Sequence, residues 1–400
     1  MFVSFYFLIL FLLIYARNKK ELFDSPVLTK AYSLSVLVPA FNEEETIRST
    51  IEHIFENDYP NLVEVLVIND GSTDRTLEIL RELLKKYKYH KTNLKVLNKK
   101  NSGKADSLNK ALKFAIGEII AIVDADSYPA RDAFSKLLGH FDNPRVGVAT
   151  AACTPKNTNC FLGKMQLMEY RTIAFTRKLL EFIESIYVAP GSLSVYRKKA
   201  MDEVGGFDIT NITEDIEITW HLLQENWLVR MSLESRVLTV VPTRFKDWFK
   251  QRKRWAIGGL QCLLKYRKKA FKKNIFGYFV IPFFALGFLL AMTGFFVFSY
   301  VLFLRVFRNY LRTIYSLDIG VPVLTMNEIF ITPSVLNYFG IILFVLFLLF
   351  TLFVLAVMKD NTVEKQSFFN LLLLICLYFP LRGIVWILAL YGLIKGDIKW

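Results

Sequence analysis

Two carboxylates flank one small residue in Asp124-Ala125-Asp126, directly after the apolar Ile122-Val123. Such a pair can hold a hard divalent cation, Mg2+ or Mn2+, that also takes the oxygens of a diphosphate. An ion in that place neutralises the charge that develops on a nucleoside-diphosphate leaving group. A second acidic cluster, Thr213-Glu214-Asp215, follows Gly205-Gly206-Phe207-Asp208. A carboxylate there can act as general base and take the proton of an attacking hydroxyl. Gln251-Arg252-Lys253-Arg254-Trp255 offers a cation for a diphosphate and an aromatic plane for a sugar ring.

Three further clusters are suited to holding a nucleotide. Asn69-Asp70-Gly71-Ser72-Thr73-Asp74 combines an acid at a strand end, a glycine turn and helix-capping hydroxyls, which can hold a base or ribose. In Asn101-Ser102-Gly103-Lys104-Ala105, Lys104 opens a helix, where phosphate charge is favoured. In Pro39-Ala40-Phe41-Asn42-Glu43-Glu44-Glu45, the Asn42/Glu45 spacing reads as a capping box. Taken singly, each cluster also reads as ordinary turn or helix-start chemistry.

Their positions in the chain bind them together. From about Ser33 to Pro242, short β-branched runs alternate with helical patterns. The expected pairs are Leu34–Val38 with Glu43–Glu56, Val63–Ile68 with Asp74–Tyr87, Leu94–Leu97 with Lys104–Ile116, and Ile119–Val123 with Arg131–Phe141. Strands spaced by helices imply βαβ units and a mostly parallel sheet covered on both faces. Ligands of such sheets bind at the carboxyl ends of the strands, where these clusters lie.

The rest of the chain is apolar. Hydrophobic residues make up 53% of the 400, yet charged residues reach 22%, so the two are segregated. Phe2–Ala16, followed by Arg17, Lys19 and Lys20, reads as an uncleaved anchor whose charged side is cytoplasmic. Tyr278–Leu304, Val335–Met358 and Phe368–Ile394 are each long enough to span a bilayer. Arg382 interrupts the last beside Pro380 and marks a face turned to protein or water rather than lipid. Between Phe245 and Leu264, apolar and basic residues recur at helical spacing, as in an interfacial helix on an anionic leaflet. The formal charge of +14 lies largely beside these blocks, which points to membrane flanks and away from nucleic acid. Four scattered cysteines and four histidines show neither disulfide nor zinc spacing.

Taken in order, Asp70, Asp124-Ala125-Asp126, Thr213-Glu214-Asp215 and Gln251-x-x-Arg254-Trp255 resemble the motifs of family 2 glycosyltransferases. Within that family the chain resembles the processive membrane synthases of poly-N-acetylglucosamine, hyaluronan and cellulose. The resemblance implies a cytosolic α/β domain of GT-A fold, with a Rossmann-like mixed sheet and transmembrane helices at both ends. The expected layout is an anchor at 1–17, a catalytic domain at 33–244, an interfacial helix region at 245–274 and about three spans in 275–400. Donor binding falls to Pro39, Ala40, Asn42, Glu43, Asp70, Lys104, Asp124 and Arg254, with Asp70 on the uracil of a UDP-sugar. Asp126 and Asp124 hold the metal, and Asp215 is the base. Gly191, Ser192, Glu214, Gln251 and Trp255 face the acceptor. The implied product is a β-linked polysaccharide, with N-acetylglucosamine the expected sugar and inversion the expected stereochemistry. The expected location is the plasma membrane, multi-pass, with an accessory membrane subunit left open. Transfer of one sugar to a membrane lipid or polyprenyl phosphate is the alternative, and a non-catalytic scaffold is a third reading.

Overall fold

The computed structural model describes residues 2–272, 274–319, 335–358 and 368–396. The chain opens with helix α1 (Phe2–Asn18). Strands β1 (Leu34–Ala40), β2 (Leu62–Asp70), β3 (Asn93–Lys99) and β4 (Ile119–Ile122) then alternate with helices α2 (Ile47–Phe55), α3 (Thr76–Lys86) and α4 (Lys104–Leu112). Next come β5 (Ser127–Pro129), α5 (Ala133–Leu138), β6 (Val146–Pro155), the long α6 (Phe161–Glu181), β7 (Ser194–Arg197), α7 (Lys198–Val204), α8 (Glu214–Gln224) and β8 (Leu228–Thr239). The C-terminal part is helical: α9 (Phe245–Tyr266), α10 (Ile281–Ile319), α11 (Val335–Val357), α12 (Phe368–Leu373) and α13 (Phe379–Lys395).

All eight strands form one sheet in the order β3-β2-β1-β4-β7-β6-β8-β5. The first four pair in parallel, as βαβ units require. β7 then runs antiparallel to both β4 and β6, and β5 antiparallel to β8, so the sheet is mixed. Alternate residues of β1 and β2 enter different cores. Leu37, Leu66 and Ile68 join one with α4 and α6, whereas Val36, Val38, Val65 and Val67 join the other with α2, α3 and α5. This two-sided burial explains the unbroken apolar runs.

The first helix after β1 is shorter than expected. Asn42 takes φ 56° and caps nothing, and α2 starts only at Ile47. Asn42, with Glu43 and Glu44, instead fastens this loop to the one after β2. Asn42 N donates to Ser72 Oγ (3.0 Å), Thr73 N to Asn42 Oδ1 (2.8 Å), Glu43 N to Thr76 Oγ1 (2.8 Å) and Glu44 N to Asp74 Oδ2 (3.1 Å). The capping-box reading is therefore corrected: tertiary hydrogen bonds outcompete the local one.

Three helices are long and apolar enough to cross a membrane: Phe276–Asp318, Tyr338–Val357 and Phe369–Lys395. The N-terminal apolar helix is shorter, at Phe5–Asn18, so candidate spans of full length occur only at the C-terminal end of the described residues. The first span does not stop at Leu304. It continues as helix through Arg305, Arg308 and Arg312, and its 43 residues reach roughly 65 Å at 1.5 Å each, about twice the hydrocarbon thickness. The arginines lie on its exposed extension, with no break in the helix at any of them.

Candidate active site

The carboxyl ends of β1, β2 and β4 converge on two adjoining clefts. The smaller, about 340 Å³, is lined by Asn42, Glu43, Glu44, Thr46, Asp74 and Asp126, among others. The larger, about 450 Å³, begins at Lys104, Asp124 and Asp126, passes Glu214 and Asp215, and ends among helices at Trp255, Phe284 and Trp386. Asp126 and Val240 line both, so the clefts meet there.

Lys104 is the cation at the centre. As the first residue of α4, its Nζ lies 2.6 Å from Asp124 Oδ1 and 2.7 Å from Glu214 Oε1. Glycine at 191 leaves room for this pair. A Cβ there would sit 2.6 Å from Lys104 Nζ and 3.0 Å and 3.1 Å from the Asp124 carboxylate oxygens. The Gly191 carbonyl also accepts from Asp124 N at 3.1 Å, which fixes the loop to the end of β4.

Charge crowding decides the protonation of these acids. Burial, and then the charge of Asp124, raise Asp126 to about 6. Burial, and then the charge of Glu214, raise Asp215 to about 6 although Lys104 pulls it down. Burial acts the same way on Glu214, but Lys104 outweighs it and leaves that group below its ordinary value. Lys104 itself is lifted, because the carboxylates of Asp124, Glu214 and Asp215 overcome its desolvation. Glu43, raised to about 7 by burial and by Asp126, Asp124 and Asp74, belongs to the same acidic wall. Two neighbouring acids are thus driven apart: Glu214 stays ionised beside its lysine, and Asp215 is poised to exchange a proton near neutrality.

Helix α9 closes the cleft from the side of the C-terminal apolar helices. Gly258 allows this, since a Cβ there would lie 1.9 Å from Thr213 Oγ1. The close approach places Gln251, Arg254 and Trp255 on the cavity wall with Gly191 and Ser192. Gln251 Oε1 is buried there with no hydrogen-bond partner among the described residues, and Ser192 lies beside Cys153.

The remaining expected donor residues sit further back. Pro39 and Ala40 are the buried end of β1 and line neither cleft. Asp70 is 4% exposed, and its carboxylate accepts from Lys99 Nζ, Ser102 N (3.0 Å) and Gly103 N (2.9 Å). It therefore builds the turn that delivers Lys104 and lies outside both clefts.

Several cavity residues escaped the sequence reading. Tyr170, Ile173 and Arg177 line it from α6, with Cys153 from β6 and Tyr187; Arg382, expected to face protein or water, lines it too. Tyr170, Ile173 and Arg177 are spaced three and four apart, one stripe of a helix, and a buried helix with a cation on such a stripe was the available signal. Burial pushes the Cys153 thiol up to about 12, so it is an inert wall rather than a nucleophile.

Asp124 and Asp126 fit a divalent cation. No cluster of three His, Cys, Asp or Glu among the described residues can hold a metal alone. Two carboxylates that leave positions for diphosphate oxygens and water match the habit of Mg2+ and Mn2+ sites.

This arrangement has a known setting. Residues 35–205 match the family model described as Glycosyl transferase family 2, and the mixed sheet has the GT-A fold. Among curated relatives, the poly-beta-1,6-N-acetyl-D-glucosamine synthase of Staphylococcus epidermidis is 33% identical over 234 residues, 58% of this chain and 56% of that protein. The synthase of the same name from Staphylococcus aureus (strain COL) is 28% identical over 271 residues, 67% of this chain and 64% of that protein. The match thus spans less than two thirds of the length of these relatives. Among solved structures, the mannosyltransferase PcManGT from Pyrobaculum calidifontis, in complex with GDP-Man and Mn2+, superposes with a TM-score of 0.55 at 24% identity, covering 68% of this chain and 76% of that one.

Proposed function

We propose that the chain is a membrane-bound inverting glycosyltransferase that moves N-acetylglucosamine from a UDP-sugar onto a growing β-linked polysaccharide. The observation that carries this reading is the continuous cavity that runs from the Asp124/Asp126 pair, past Asp215, to Trp255, with the orphaned Gln251 Oε1 on its wall. A buried acceptor without a partner is costly, and a hydroxyl of a sugar would satisfy it while its ring covers Trp255. The names of the curated relatives support the choice of sugar and polymer.

In the transfer, Asp215 takes the proton of the acceptor hydroxyl as its oxygen bonds to the anomeric carbon. The bond from that carbon to the diphosphate oxygen breaks, and the diphosphate leaves with the electron pair. Attack opposite the leaving group inverts the centre. Lys104 and Arg254 face the diphosphate as fixed cations. Asp124 and Asp126 would hold Mg2+ or Mn2+, which supplies Lewis-acid neutralisation of the leaving group. Glu214 stays ionised and holds Lys104 in place.

Purified full-length protein in detergent, given a panel of UDP-sugars with Mg2+ or Mn2+, is expected to release UDP from one donor and form a long polymer. A single sugar attached only when a lipid acceptor is supplied would replace the polymer reading with lipid glycosylation. No UDP release from any donor would sink both. Chelation of divalent ions, and separately Asp126→Asn, are expected to lower turnover by at least about a hundredfold. Undiminished turnover in chelator would remove the metal from the site. The catalytic domain is placed on the cytoplasmic side of the plasma membrane, where the nucleotide-sugar is made available, with the three apolar helices as spans.

A further inference from the structure

Glu169 lies midway along α6, is 1% exposed, and lines neither cleft. A carboxylate so deep requires partners, and those it has come from the membrane-facing end of the molecule. Its Oε2 accepts from Arg252 Nη2 at 2.6 Å and from Tyr378 Oη at 2.6 Å. Its Oε1 lies 3.3 Å from Arg382 Nη1. The Tyr378 hydroxyl in turn accepts from Trp248 Nε1 at 2.7 Å. One acid therefore joins α6, α9 and the last apolar helical segment. Arg382, the charge that interrupts the last apolar block, has its counter-ion here, in the domain that carries the sheet.

The geometry continues toward the acceptor. The Arg252 guanidinium lies 4.2 Å from the centroid of the Trp255 ring and 5.7 Å from that of Tyr170. Such a cation under an indole fixes its plane. Arg252 is itself 4% exposed and cannot swing into water.

We propose that Glu169, with Tyr378, is a positioning residue for the acceptor: it clamps Arg252 beneath Trp255 and thereby makes the last membrane segment part of the acceptor platform. This rests on the transferase reading above. Neither residue touches substrate in this account. Loss of the clamp leaves the donor end, at Lys104, Asp124 and Asp126, as it was.

The test uses full-length protein with Tyr378→Phe and Glu169→Gln. Both are expected to raise the acceptor KM by roughly ten- to a hundredfold and to shorten the product. The donor KM and the slow hydrolysis of donor by water, measured without acceptor, are expected to stay unchanged. Should Glu169→Gln leave Arg252 unpaired and the protein unstable, Glu169→Gln with Arg252→Gln removes the deeply buried uncompensated charge, while Arg382, 40% exposed, is left to water. That double variant is expected to recover the melting temperature while still making short product. Recovery of product length along with stability would show a merely structural ion pair and overturn the proposal. An unchanged product length and acceptor KM in Tyr378→Phe would overturn it too, with the transferase reading intact. A wild-type protein inactive on every UDP-sugar would remove both.

Discussion

Asp215→Asn is expected to lower kcat/KM by about a thousandfold, within the usual worth of a general base, while donor affinity measured by UDP displacement stays within about twofold. The substitution keeps the shape of the side chain and the Ile216 N–H hydrogen bond, which an amide oxygen also accepts. It leaves the Lys104 ion pairs with Asp124 and Glu214 in place. Two accompanying results separate loss of a base from loss of fold. Burial and the neighbouring Glu214 raise Asp215 to about 6, above its value in an unfolded chain. A group raised in this way contributes stability that is present at low pH and is lost as pH rises through the folded value. At neutral pH the ionised carboxyl is therefore a cost, and the Asn variant is expected to melt higher than wild type. Activity depends on the same group in the opposite sense, because a base must be unprotonated. Wild-type kcat/KM is expected to level off above about pH 6 and to fall by at least tenfold per pH unit below it, and the residual activity of the variant is expected to show a shallower limb, because Asp126 still titrates there. Near-normal turnover in Asp215→Asn, or an unchanged acid limb, would move the base elsewhere in the cavity.

What the sequence made legible was the chemistry at strand ends. Lys104, Asp124, Asp126 and Asp215 stand where a strand or loop gives way to a helix or turn, and local polarity against an apolar run is visible without coordinates. The βαβ half of the sheet was legible for the same reason. The antiparallel half was not: β5, of three residues, and β7, of four, are too short to carry a period. Their pairing with β8 and β6 joins positions distant in sequence. The role given to Asn42 failed because Ser72 and Thr73, about thirty residues on, offer better partners than its own helix. The role of Glu169 was not legible for a related reason. The Glu169-Tyr170 pair resembles a stretch of the poly-N-acetylglucosamine synthases, but the role of Glu169 comes from Arg252 and Tyr378, 83 and 209 residues away. Arg382 alone hinted at this, since a charge in an apolar block needs a partner.

Lys104→Met is expected to combine the largest loss of donor affinity with a loss of stability. The lysine is the cation that pairs with both Asp124 and Glu214. Removing one member of a buried ion pair leaves the other uncompensated, at about 3–5 kcal/mol when burial is complete. Lys104 and Asp124 keep 25% and 31% of their side-chain surface, so water screens part of this and the low end applies. A charge-assisted hydrogen bond from the same ammonium to the diphosphate contributes about 1.5–3 kcal/mol, so its removal is expected to raise the donor KM by roughly ten- to a hundredfold. Lys104→Arg is not a rescue. The Nζ already sits against the Gly191 backbone, so close that a Cβ added there would stand 2.6 Å away, and a planar guanidinium needs more room than an ammonium. Gly191→Ala tests the same point from the other side: its methyl must push Lys104 or Asp124 aside, and the donor KM is expected to rise with less loss of stability, since no charge is removed. The two variants together distinguish a lysine that binds donor from one that only balances acids. If Lys104→Met melted lower but bound donor as wild type does, the lysine would be a counter-ion alone, and Arg254 with the metal pair would carry the diphosphate.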